Sequence, residues 1–83
     1  MYQFYTAEIR KNQSGEFEHD INYFWDENET KAQLKGEAKF HEILSRAATS
    51  EYAEHAAILF SSRGNRIMDK CYRHAPETET EVI

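Results

Sequence analysis

From Phe17 to Trp25 the chain alternates strictly. Phe17, His19, Ile21, Tyr23 and Trp25 fall on one side of an extended backbone, and Glu16, Glu18, Asp20 and Asn22 fall on the other. A period of two over that length excludes a helix, and a lone strand would leave its backbone N–H and C=O groups unpaired, so the segment needs a neighbour. Tyr2 to Arg10, rich in aromatic and β-favouring residues, supplies one, with Tyr5, Ala7 and Ile9 on a common face. Lys11-Asn12-Gln13-Ser14-Gly15 between them is a turn closed by a glycine free to take positive φ. The hairpin is expected to bury its apolar row and to wet its acidic one.

After Trp25 the period changes. Asp26 can cap free amides, Glu29 three residues on completes a capping-box spacing, and a helix is expected over about residues 27 to 48. Gly36 interrupts it at about 1 kcal/mol relative to alanine, which implies close approach of the helix backbone to a neighbour. Hairpin logic then repeats. The run Ala56-Ala57-Ile58-Leu59-Phe60 lies within a strand from Tyr52 to Ser61, Ser62-Arg63-Gly64-Asn65 turns, and Arg66 to Arg73 returns. Ile67 and Cys71 fall on one side of the last strand, with Met68, Tyr72 and His74 on the other. The order ββαββ predicts a two-layer α+β domain over residues 1–74, one helix packed on a mostly antiparallel four-stranded sheet. The acidic segment 75–83, without period, is expected to be a flexible tail.

At 100° per residue the helix shows a polar stripe of Lys31, Lys35, Lys39, Glu42 and Arg46 and two apolar ridges. One holds Ala32, Gly36, Phe40, Ile43 and Ala47. The other holds Leu34, Ala38, His41, Leu44, Ser45 and Ala48. A strongly curled sheet would bury both. Otherwise the second ridge (Leu34, Ala38, His41, Leu44), or an outer sheet face bearing Phe4, Phe24 and Tyr72, is a dimer or partner interface.

Eighty-three residues suffice for one core, and 40% hydrophobic content supplies it. The net charge of −5 falls to −2 without Glu77, Glu79 and Glu81, and a near-neutral body with scattered cations neutralises phosphates poorly, so direct nucleic-acid binding is not expected. No apolar stretch approaches a membrane span and the first residues lack a secretory pattern, so a cytoplasmic protein without membrane contact is expected. Cys71, the only cysteine, excludes an internal disulfide and is expected to be a buried, inert thiol. His19, His41, His55 and His74 show no ligand spacing, so neither a metal nor another cofactor is expected. No phosphate-cradling loop, nucleophile elbow or zinc-protease helix is present, and no catalytic residue is assigned. Glu8, Glu16, Glu18 and Asp20 gather acidic charge on the first hairpin, either as a merely solvated face or as a surface for a cation or a basic, nucleic-acid-binding partner.

Tyr5-Thr6-Ala7, Phe24-Trp25-Asp26-Glu27, Ala38-Lys39-Phe40-His41-Glu42-Ile43-Leu44, His55-Ala56-Ala57-Ile58-Leu59 and Arg63-Gly64-Asn65 resemble a group of small uncharacterised proteins encoded in prophages and mobile elements of Gram-positive bacteria. The resemblance spans roughly Met1 to His74, and Cys71 departs from its pattern. It implies a small acidic accessory protein in the bacterial host cell that binds a host or phage protein, such as an anti-CRISPR-like inhibitor of a defence nuclease. A homodimeric structural or regulatory module is the alternative, and metal or thiol chemistry at His41, His55 and Cys71 ranks last.

Overall fold

The computed structural model describes residues 1–74, so the expected tail over 75–83 lies outside the described residues. The elements run β1 (Tyr2–Lys11), β2 (Phe17–Asp26), α1 (Glu29–Ala47), β3 (Glu54–Ser61) and β4 (Arg66–Arg73). The strands form one sheet in the order β2-β1-β3-β4, antiparallel at every pairing, with α1 packed on one face. This is the expected ββαββ arrangement of the α+β class. A helix of 19 residues is about 28 Å long and carries the chain back along the sheet, so β3 runs in the direction of β2 and pairs with β1.

Both turns use glycine as the sequence requires. Gly15 at φ 89° follows Asn12, whose side-chain oxygen accepts from the amides of Ser14 (2.9 Å) and Glu16 (3.0 Å). Gly64 at φ 81° closes the second hairpin, where its N–H donates to the Ser61 carbonyl at 2.9 Å.

The helix starts later than the capping-box spacing suggests. Asn28, not Asp26, is the N-cap, its side-chain oxygen accepting from the Lys31 amide at 2.9 Å. Asp26 is still paired with Tyr2 at the end of the β-ladder and cannot take the cap's place; its carboxylate instead accepts from the Asn28 amide at 2.8 Å.

The core comprises Phe4, Ala32, Phe40, Ile43, Ala57 and Leu59, with Leu44 and Met68 at its margin. It buries the ridge of Ala32, Gly36, Phe40, Ile43 and Ala47 as expected. The second ridge stays outside, with Leu34 55% exposed and Ala38 and His41 also exposed; only Leu44 of its larger residues is partly buried. The sheet does not curl far enough to cover both.

Candidate functional site

The main correction to the sequence reading concerns which sheet face the helix covers. The β1 register sets Phe4 opposite Phe24, Thr6 opposite Asn22 and Glu8 opposite Asp20, and Phe4, Thr6 and Glu8 are the buried β1 residues of that row. Residues directly opposite share a face, so the row Glu18, Asp20, Asn22 and Phe24 of β2 lies on the helix side. Phe17, His19, Ile21, Tyr23 and Trp25 therefore point away from the helix. That row, expected to be buried, is exposed by 66% at Phe17, 41% at Ile21, 51% at Tyr23 and 50% at Trp25.

The same register overturns the expected outer face of Phe4, Phe24 and Tyr72. Phe4 is a core residue beneath Gly36, and Phe24 is its half-buried cross-strand partner. Tyr72 pairs with buried His55, also on the helix side, and stacks on the His74 ring at 6.4 Å between centroids.

The uncovered face is built around an aromatic cluster. Tyr5 stacks on Phe60 with centroids 4.9 Å apart and meets Tyr23 at 5.7 Å, and Tyr23 stacks on Trp25 at 6.0 Å. Three neighbouring strands contribute to it, β2, β1 and β3, so the rings form a continuous surface. Its charged margin is largely self-neutralised: Glu54 pairs with Lys11 at 3.5 Å and with Arg73 at 3.8 Å.

On the helix side, the acidic residues form a clasp and not an open acidic patch. Glu8 is only 4% exposed. Its carboxylate accepts from Arg46 at 3.1 and 3.3 Å and from the Nε2–H of His55 at 2.6 Å, and it lies 3.2 Å from Arg10. Arg10 reaches on to Asp20 at 2.7 Å and Glu18 at 3.6 Å. Burial pushes the Glu8 carboxyl up, but the hydrogen bonds from Arg46, His55 and Arg10 outweigh it and hold the group below its ordinary value. Glu16 precedes β2, is exposed, and belongs to the turn. The expected outer acidic face of Glu8, Glu16, Glu18 and Asp20 is thus replaced by a network tying β1 and β2 to the helix and β3. Sequence reading missed it because Arg46, Arg10 and His55 are far from Glu8 or on the same strand, and no local spacing marks them.

His55 also sets its Nδ1 3.0 Å from the Ser50 hydroxyl, so Ser50, His55 and Glu8 stand in line. With two guanidinium groups drawing on Glu8, and with His55 enclosed between Tyr52 and the sheet, the line fastens the loop after α1 to β1 and β3. A cleft of about 380 Å³ lies elsewhere, between Gln33 of the helix and Arg63 of the second hairpin turn, and a wider one of about 510 Å³ lies between Gln13 of the first turn and Tyr52. His19 is on the open face, His41 is exposed on the helix, and His74 donates to the Ala47 carbonyl at 2.8 Å. Among the described residues, no three His, Cys, Asp or Glu side chains are grouped to hold a metal ion, and no helix is long and apolar enough to cross a membrane. Cys71, expected to be buried, is exposed opposite Ala56, since the outer face of the edge strand β4 has nothing above it.

The fold and its open face define a small two-layer α+β protein with an uncovered aromatic sheet surface. Comparison with protein-family models, with curated proteins and with solved structures found no match.

Proposed function

We propose that the chain works by binding another protein through the open sheet face, as a non-enzymatic accessory factor of a mobile genetic element. The observation that supports this is the row of Phe17, Ile21, Tyr23 and Trp25, each more than two-fifths exposed opposite the helix. Clustered exposed aromatics and isoleucines are the usual centre of a protein interface. Nucleic acid suits the face less well, because Lys11 and Arg73 at its margin are both engaged by Glu54.

The resemblance to prophage-encoded proteins suggests a host protein as partner, and a defence nuclease is one such target. The apolar face would supply the contact. Glu18 and Asp20 are held by Arg10 on the helix side and Glu8 is enclosed, so the apolar row, and not an acidic face, carries the contact.

The test compares capture of a specific protein from a bacterial host lysate by wild type, by a Tyr23→Ser, Trp25→Ser double variant and by Leu34→Ser on the helix ridge. Loss with the sheet variant alone, together with cross-links from the wild-type complex that map to β1 and β2, is the expected result. Capture that survives the sheet variant and disappears with Leu34→Ser would transfer the role to the helix.

A further inference from the structure

We propose that the free edge of β2 is the seam of a homodimer, in which the two β2 strands pair antiparallel and join the sheets into one of eight strands. This concerns the strand edge and its backbone, and it does not depend on what binds the sheet face.

The two edges of the sheet differ. β4 carries Arg66, Asp69, Lys70 and Arg73, with a register shift opposite Leu59 and Phe60, and mixed charge with irregular pairing is how natural sheets guard an edge. β2 has ten residues in unbroken register with β1 and contains no lysine, arginine or proline. Its charged residues all lie on the helix side, where Arg10 holds Glu18 and Asp20 and Lys35 holds Asp26. Its outer row, Phe17, His19, Ile21, Tyr23 and Trp25, contains no Asp, Glu, Lys or Arg.

The backbone states which groups are free. The Asn12 amide donates to the Glu16 carbonyl at 2.9 Å, and continuing that alternation along the ladder turns the N–H and C=O of Glu18, Asp20, Asn22 and Phe24 toward β1. The groups of Phe17, His19, Ile21 and Tyr23 then point outward, without a partner in the sheet, as does the Trp25 N–H, while the Trp25 carbonyl accepts from Lys35 Nζ at 2.9 Å.

Charge then selects a register. Centring the two-fold on Ile21 sets Ile21 against itself, His19 against Tyr23 and Phe17 against Trp25 of the second copy, and on the other face Asp20 against Asn22 and Glu18 against Phe24. Every residue with an outward backbone meets another of its kind, and within β2 no carboxylate opposes a carboxylate; Asp26, held by Lys35, falls against Glu16 of the turn, where the pairing runs out. Sliding by two residues in one direction sets Asp20 against Asp20; sliding in the other sets Glu18 against Asp26. Like charges directly across a ladder are destabilising, so the Ile21-centred pairing is favoured over both neighbours. It also merges the two exposed outer rows into one apolar surface.

Two measurements on wild type and two variants test the seam. Sedimentation of the full chain should show a dimer in the range of about 10 to 300 μM, and the amides of His19, Ile21 and Tyr23 should exchange more slowly as protein concentration rises. Ile21→Pro removes an N–H that no intramolecular bond uses, a substitution an edge strand tolerates, and should weaken the dimer by about tenfold or more with the circular dichroism unchanged. Should that variant fail to fold, Asn22→Asp tests the register, since it sets carboxylates opposite Asp20 at two symmetric points and should weaken the dimer, with Asp20→Asn restoring it. A monomer throughout the concentration range, a dimer indifferent to Asn22→Asp, or a dimer broken instead by Leu34→Glu on the helix ridge would each overturn the seam.

Discussion

Gly36 and Leu59 meet so closely that a Cβ on Gly36 would stand 2.6 Å from Leu59 Cδ1. The contact is what lets α1 settle over Phe4 and between β1 and β3, and it explains a glycine in the middle of a 19-residue helix. Leu59 is fully buried and has little room to withdraw. Gly36→Ala therefore gains about 1 kcal/mol of helix propensity and loses more to overpacking, for a net destabilisation of about 1–2 kcal/mol in urea unfolding. In a Leu59→Ala background the same substitution is expected to be neutral or stabilising, since the obstructing methyl is gone.

Glu8 is the node of the ionic clasp, and its removal strands its partners. Glu8→Gln is expected to cost about 3 kcal/mol or more, because Arg10 and His55 lie at buried or nearly buried positions and lose their anion. Arg46→Ala, on a side chain 50% exposed, should cost about 1 kcal/mol or less. Chemical denaturation of the two variants in parallel reads the contrast, and equal losses would mean that Glu8 is not the centre of the network.

The same carboxylate makes stability depend on pH. Its folded-state pKa is lowered, so its contribution is complete above its unfolded value near 4.5 and is lost as the pH falls through the folded value below that. Wild-type stability should decline on acidification below about pH 4.5, and the decline should be shallower in Glu8→Gln. Asp26, also lowered by the Asn28 amide and Lys35, adds a contribution of the same sign, which Asp26→Asn would remove separately. Thermal melts at about pH 3 and 6 for all three proteins check this.

Tyr23 and Trp25 are half exposed, so replacing either by serine should change stability by about 1 kcal/mol or less while acting strongly on binding. A large loss of stability would mean that the aromatic cluster holds the sheet together and is not principally a surface.

Cys71 projects from the outer face of β4. One thiol per chain should react with a disulfide reagent in native buffer as quickly as it does in denaturant. A lag removed only by unfolding would contradict its exposure.

The element order, both glycine turns, the buried helix ridge and the close approach at Gly36 were legible in the amino-acid sequence, because each follows from a local period or a local backbone requirement. Glu8, Arg46 and His55 were not legible as a set, since only the packing of α1 against β1 and β3 brings them together. The helix cap moved from Asp26 to Asn28 for a related reason: strand pairing with Tyr2 outlasts the change of period.

By itself, the alternation of β2 determined that this protein has a strand with one apolar row and one acidic row. Only the tertiary structure decided which row the helix would cover. A period of two is symmetric between the faces of a sheet, and the choice is made by the neighbouring strand: Phe4 and Leu59 must meet Gly36, and the register of β1 then carries Asp20 and Asn22 to the helix side. Arg10 and Arg46 make that acidic side tolerable by neutralising it. The aromatic row is left uncovered because the helix, one ridge wide at its contact, reaches only the opposite face.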